Sequence, residues 1–304
     1  MRTTNSNNKL SYDEFKELCR SEIAARLGSG HQVTLVQIYK NNSVCLDGIV
    51  IRQSGAPLGP NLYLNDEYEA YLDGKETETI IKELILSYHT FLKTAVLPKE
   101  GLSFEFGQIR ERIIYCLAAR ESNRHILEQS PHIPYLDFAI LFQCLITADD
   151  TGIGTVRITN EHMAYWNTSL PELYACAAGN TARLLPPRLF PMSDLLVYAA
   201  SSPMYVLTNT FGLQGASCIL YDGILKEFAQ KIGSGFFLLP SSIHEFLLLP
   251  SSGICSGPDS DRKLQEEKDA LSAIVREINS TRLKPEDVLT NHAYYYDPDT
   301  DTIR

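Results

Sequence analysis

Positive charge is what this sequence most lacks. Its 27 Lys and Arg are outnumbered by 37 Asp and Glu, for a formal net charge of −10. Nucleic acid and anionic membranes attract clustered cations, so neither is an expected partner. Long apolar runs are missing too. The most apolar stretch, Phe138 to Ile146, is interrupted by Gln143 and falls far short of the ~20 residues that span a bilayer. The N-terminus, MRTTNSNNKL, has no apolar core of signal-peptide length. Residues 1–10 therefore read as a disordered tail and the chain as cytoplasmic. The seven cysteines (19, 45, 116, 144, 176, 218 and 255) include no C-x-x-C pair. An odd count at wide spacing argues against a disulfide framework and a zinc site. They read as small apolar residues in a reducing compartment.

Common chemical signatures are absent as well. There is no G-x-x-x-x-G-K-[ST] loop, no G-x-G-x-x-G after a strand and no G-x-S-x-G elbow. His244-Glu245 is followed by Phe, Leu and Leu, which breaks a zinc-binding H-E-x-x-H. Asp297-Pro298-Asp299-Thr300-Asp301 starts like a calcium loop, but Thr302 stands where the turn glycine belongs. Neither a metal nor a cofactor is expected.

What is present is an ordinary globular composition, 44% hydrophobic over 304 residues, enough for one large domain or two small ones. Ser11 and Glu14 form a capping box, with Leu10 and Phe15 at the staple positions. Phe15, Cys19, Ile23 and Leu27 then recur every fourth residue until Gly28. Val33–Tyr39 and Leu46–Arg52 read as a hairpin around Asn41-Asn42-Ser43. Helices are expected over 68–72, capped by Asn65 or Asp66, over 77–96 up to Leu97-Pro98, and over 108–120. The two prolines of Glu128–Pro134 mark a boundary. Beyond it, Asp137–Thr147 reads as a strand covered on both faces, followed by a turn at 149–152 and a paired strand. Helices follow at 160–166, from the Ser169/Glu172 capping box to about Arg183, and at 193–200. The last third gives strands at 205–209, 216–221, 236–239, 243–249 and 293–296, with helices at 222–232 and 261–278. The class is α+β: mixed sheets flanked by helices, an N-terminal α-β-β-α region over 11–130 and a larger mixed region over 131–304 that can form one compact unit with it.

Three clusters carry chemical content. In Pro240-Ser241-Ser242-Ile243-His244-Glu245 a hydroxyl, an imidazole and a carboxylate lie close in sequence and suit a nucleophile, a base and an orienting group. In a strand, however, His244 and Glu245 point to opposite faces. Ser241 and Ser242 also suit turn backbone groups. Tyr63-Leu64-Asn65-Asp66 reads as a strand end with a helix cap, or as a binding element through Asn65 and Asp66. Tyr294, Tyr295 and Tyr296 suit either packing on a half-buried strand or an interface. Arg110, Arg112, Arg120 and Arg124 lie close enough in sequence to form a local basic patch, the one basis for nucleic-acid binding, a reading that the net charge disfavours.

Tyr12-Asp13-Glu14-Phe15, Tyr63-Leu64-Asn65-Asp66, Met204-Tyr205-Val206-Leu207-Thr208-Asn209, Pro240-Ser241-Ser242-Ile243-His244-Glu245 and Tyr294-Tyr295-Tyr296-Asp297 occur in this order. They resemble a family of uncharacterised bacterial proteins, a domain of unknown function seen mainly in clostridia-like Gram-positive bacteria, over nearly the whole chain. Residues 137–250 are also similar to a second uncharacterised cytoplasmic family. The shared pattern is an apolar strand, a helix with Glu172-Leu173 and Ala177 to Asn180, and a strand ending in a Pro-Ser turn. The resemblance implies a bacterial cytoplasmic protein and adds Asn209 to the candidate binding residues, but it implies no activity.

Two functions follow as expectations. The first is a non-enzymatic protein that binds an unknown protein or small molecule, motivated by the missing catalytic signatures. The second is a hydrolase with His244 as base, motivated by the Ser241–Glu245 cluster alone.

Overall fold

Ser11 opens the first helix of the computed structural model, which describes residues 9–54, 59–94, 105–149, 152–195, 203–251 and 260–304. The Ser11 hydroxyl accepts from the Glu14 N–H, and the Glu14 carboxylate accepts from the Ser11 N–H at 2.8 Å. This closes both halves of the capping box. Helix α1 (Tyr12–Leu27) buries Phe15, Cys19 and Ile23, the four-residue stripe expected. By their contacts the residues form two units, 1–40 with 44–103, and 41–43 with 104–304. The two prolines of 128–134 lie inside the second unit.

In the first unit, β1 (His31–Tyr39) and β2 (Cys45–Gln53) form the expected antiparallel hairpin, with Tyr39 opposite Cys45. The short β3 (Asn61–Tyr63) pairs with the other side of β2. Helix α2 (Asn65–Leu72) starts earlier than expected, and Leu64 caps it without a side-chain bond. Asn65 does not cap, because its Oδ1 accepts the Asp47 N–H at 3.0 Å. Helix α3 (Thr77–Thr94) brings Ile80, Ile81, Leu84 and Tyr88 against Phe15, Ile49 and Ile51.

The second unit opens with α4 (Phe106–Ile109) and β4 (Ile113–Ala119), which replace the helix expected over 108–120. Ile109, Ile113, Cys116 and Leu117 have helical spacing, yet every residue from Ile113 to Ala118 is buried. Such a run satisfies a strand covered on both faces equally well, and β-branched and aromatic residues favour that outcome. Next come α5 (Arg124–Gln129), β5 (His132–Tyr135), β6 (Phe138–Asp149) and β7 (Gly152–Arg157). Strand β6 pairs with β4 along one edge, and with β5 and β7 along the other. It is buried from Phe138 to Thr147, as expected.

Helices α6 (Asn160–Trp166) and α7 (Leu170–Leu184) follow. The Ser169/Glu172 capping box is only half made. Ser169 accepts from the Glu172 N–H, but the Glu172 carboxylate is taken by Thr168 at 2.6 Å. Helix α7 satisfies the free edge of β4: Thr181 Oγ1 accepts the Tyr115 N–H, and Asn180 donates to the Ile113 carbonyl.

Strands β8 (Pro187–Pro191) and β9 (Tyr205–Asn209), helix α8 (Ile224–Ile232), strands β10 (Phe236–Ser242) and β11 (Glu245–Pro250), helix α9 (Ser260–Arg282), and strands β12 (Tyr294–Asp297) and β13 (Thr302–Ile303) complete the unit. The six strands form an antiparallel sheet in the order β13-β12-β10-β11-β9-β8. The prolines of β8 sit on its edge, where a missing N–H breaks no ladder. The strand expected at 216–221 is instead a 3-10 segment, Gly215–Leu220. Those residues are apolar because the loop is buried. A Cβ at Gly215 would stand 2.3 Å from Thr208 Oγ1, so only glycine allows this approach. Of the helix expected at 193–200, Met192–Asp194 is a 3-10 turn. Residues 196–200 lie outside the described residues, as do Gly55–Leu58, Leu97-Pro98, Asp150-Thr151 and Cys255.

Period-two alternation divides the side chains of the six-stranded sheet. Phe236, Leu238, Tyr294 and Tyr296 join the main core with Phe138 and Phe142 of β6, while Phe237, Leu239 and Tyr295 pack with Leu264, Leu271 and Val275 of α9. Phe138 is fully buried, with Tyr294 5.2 Å and Phe246 6.2 Å away between ring centroids. Phe138→Ala is expected to cost the second unit about 3–5 kcal/mol in urea unfolding. A loss below ~1 kcal/mol would show that this contact does not hold the two sheets.

Candidate functional site

Asp137 immediately precedes β6, and His292 lies two residues before β12. The Phe138–Tyr294 contact brings these strand ends together. His292 Nδ1 lies 2.6 Å from Asp137 Oδ2, and the Tyr294 hydroxyl donates to the same oxygen at 3.1 Å. The Tyr294 hydroxyl also lies 3.4 Å from Thr290 Oγ1, which accepts the His292 N–H at 3.3 Å. The pair stands at a pocket of about 900 Å³, lined also by Arg120, Arg124, Glu121, Glu128, His132 and Asn291, with Ala119, Leu127, Val288 and Leu289 as its apolar part. This size lies within the usual range for small-molecule sites.

The wall around the pair is fixed by amides. From α9, Asn279 donates to the Thr290 carbonyl at 2.9 Å and to Asn291 Oδ1 at 2.8 Å. Ser272 accepts the Ala293 N–H at 2.9 Å. On the other side, Asn42 takes a left-handed conformation, φ +58°, which asparagine tolerates better than most residues. Its amide donates to the carbonyls of Pro285 and Val288, and its Oδ1 accepts from Ser122 and Asn123. Asn123 is fully buried and accepts the Asn42 N–H at 2.7 Å.

Burial by itself would raise the pKa of Asp137, but the hydrogen bonds from His292 and Tyr294 and the charges of His292 and Arg120 hold it below the ordinary carboxylate value. Asp137 is thus held as the anion and orients His292 through Nδ1, the arrangement that leaves Nε2 as the working atom of an imidazole. Nε2 makes no hydrogen bond among the described residues. Burial pushes the Tyr294 phenol well above its usual value, so it acts as a neutral donor.

His244 belongs to a different arrangement. It sits in the turn between β10 and β11, not within a strand. Its Nδ1 accepts the Gln214 N–H at 3.1 Å, and its Nε2 faces Asp287 Oδ1 at 3.3 Å. The ring therefore has no nitrogen left for a substrate. Ser242 is buried, and its Oγ accepts the His244 N–H at 3.0 Å. Ser241 and Glu245 are half-buried beside the turn, and neither bonds the ring. Asn209 is fully buried and closes its own loop, donating to the Leu213 carbonyl and accepting from the Phe211 N–H. Asn65 and Asp66 lie at the start of α2 in the first unit. Among the tyrosines, Tyr294 reaches the pocket pair, Tyr295 lies 3.4 Å from Ser251 in the α9 core, and Tyr296 donates to Asp301.

The four arginines do not form one patch. Arg110 and Arg112 precede β4 and Arg120 and Arg124 follow it, which separates the two pairs by roughly 25 Å of extended chain. Among the described residues no group of three or more His, Cys, Asp and Glu is placed to hold a metal ion, and no helix is long and apolar enough to cross a membrane.

The sequence matches the family of unknown function DUF5688 over residues 12–298. The chain belongs to that family. Neither a curated protein nor a solved structure matches it. The matched span includes both the His244 turn and the Asp137–His292 pocket, so membership does not choose between them and the geometry must.

Sequence reasoning missed Asp137, His292 and Asn291 as site residues, named Tyr294, and placed Arg120 only in a basic patch with Arg110, Arg112 and Arg124. The one signal of Asp137, His292 and Arg120 was position: each stands at the end of a buried strand, where a polar group leaves the core.

The depressed Asp137 pKa carries a pH dependence. Its folded value lies below the unfolded one, so the carboxylate stabilises the fold above the unfolded pKa, and this stabilisation is lost as pH falls through the folded value. The melting-temperature gap between wild type and Asp137→Asn is therefore expected to narrow below about pH 4. A gap that widens there would reverse the assignment.

Proposed function

We propose that the protein is a non-enzymatic binding protein of the bacterial cytoplasm and that the Asp137–His292 pocket takes its small-molecule ligand. The observation that supports this is a pocket of small-molecule size holding an oriented imidazole, on loops that Asn279 and Asn42 already immobilise. A site fixed before binding loses little conformational entropy when it binds. The mixed lining, with an apolar part and a few placed polar groups, is typical of small-molecule sites. The cysteines described are all unpaired, which supports a reducing compartment.

The test is retention of metabolites by the full chain. The protein is equilibrated with a bacterial small-molecule extract, passed through gel filtration, and its retained compounds are identified by mass spectrometry. A compound retained by wild type and by His244→Gln is expected to fall about tenfold or more in occupancy in His292→Ala. The His292 side chain is 59% exposed, so that variant is expected to stay folded, within ~1 kcal/mol of wild type. Retention that ignores His292, or no retention at all, would overturn the pocket reading. A compound chemically converted in a His292-dependent way would replace binding with catalysis.

A further inference from the structure

One edge of the pocket carries three groups that can donate, the Arg120 guanidinium, the His292 imidazole and the Asn291 NH2, around the Asp137 carboxylate. Arg120 N–H donates to the Asp137 carbonyl at 2.9 Å, one rung beyond the Ala119–Phe138 pair of β4 and β6. The two residues are thus cross-strand neighbours. The Arg120 guanidinium makes no hydrogen bond or ion pair among the described residues, although its charge is felt by Asp137. His292 and Tyr294 both bond Asp137 Oδ2, and Asp137 Oδ1 makes no hydrogen bond to Arg120 or to another described residue. Next to His292 in the chain, Asn291 commits its Oδ1 to Asn279, which leaves the Asn291 NH2 without a partner among the described residues. Arg120, Asp137, His292 and Asn291 therefore follow one another along the same pocket. The edge offers a guanidinium, an imidazole and an amide NH2, and the one carboxylate among them serves to hold the imidazole.

We propose that this edge seats an oxyanion, the carboxylate or phosphate group of a small ligand, bound by Arg120, by His292 through Nε2–H and by the Asn291 NH2. In the imidazolium form both ring nitrogens donate, Nδ1–H to Asp137 and Nε2–H to the bound anion. Charge-assisted bonds of this kind are the strong ones, and a planar guanidinium matches either oxyanion in a two-pronged way. Two further carboxylates line the pocket. Glu121 lies 4.0 Å from Arg124, and Glu128 adds a negative charge that a bound anion must tolerate. The inference rests on the pocket being a ligand site and names what that site recognises.

The experiment is a titration of the full chain followed by the ring signals of His292 in NMR, assigned by their loss in His292→Gln. Orthophosphate, acetate and methylammonium are the probes. At least one of the two anions is expected to move the His292 signals in a saturable way, and methylammonium is not. Arg120→Ala, an exposed change, is expected to weaken that anion about tenfold or more, while Glu128→Gln tightens it. A response to orthophosphate alone assigns the seat to phosphate esters, and a response to acetate alone assigns it to carboxylates. Silence to both anions, an equal response in Arg120→Ala, or a response to methylammonium in their place overturns the proposal. If the anions are silent but a neutral or cationic metabolite is retained through His292, the oxyanion seat falls and the pocket stands. If nothing is retained either, both fall.

Discussion

The burial of Phe138 against Tyr294 is the contact on which the second unit depends. Each ring belongs to a strand that has no reason of its own to meet the other, since β6 is the centre of one sheet and β12 lies near the edge of another. Both faces of β6 are apolar, so it must be covered on both, and the six-stranded sheet supplies one of the covers. Once the rings are packed, the residues just outside the strands are carried to the surface together. Asp137 and His292 come within hydrogen-bond distance as a consequence of core packing, and the Tyr294 hydroxyl joins them from the buried side.

That geometry is then made stationary by side-chain amides rather than by regular structure. The loop carrying His292 has no ladder of its own. Asn279, buried in α9, takes one backbone carbonyl and one side-chain carbonyl of that loop. Asn42, in a left-handed conformation that most residues resist, takes the carbonyls of the preceding segment and shares its oxygen with Ser122 and Asn123. Buried amides of this kind are costly when half satisfied. Asn42 and Asn123 use both donors and acceptors here.

Among the described residues of the second unit there are two histidine–aspartate pairs, and they differ in one respect that decides their roles. His244 gives both ring nitrogens to the protein, one to a backbone N–H and one to Asp287, and so locks the β10–β11 turn. His292 gives one nitrogen to Asp137 and keeps the other toward a pocket. Residue type is the same in both cases, and only the second nitrogen separates a structural imidazole from one that can meet a ligand.

Features that depend only on neighbours in the chain could be read from the residues. The Ser11/Glu14 box, the Phe15–Cys19–Ile23 stripe, the hairpin around Asn41–Ser43, helix α6 and the double-faced burial of β6 were all legible, because caps, turns and periodicity act over a few residues. The α+β class followed from their mixture. Tertiary structure decided the rest. Residues 113–119 became strand although their spacing suited a helix, because β6 offered an edge and burial on both faces. Residues 215–220 stayed apolar without being a strand, because a loop lies in the core. The site was the least legible part. Its groups come from residues 120, 137 and 291–294, and chain-local patterns cannot show that two strand ends meet through one aromatic contact. The cluster that was visible, Ser241 to Glu245, was visible because it is contiguous, and contiguity is what a turn needs to satisfy its own backbone.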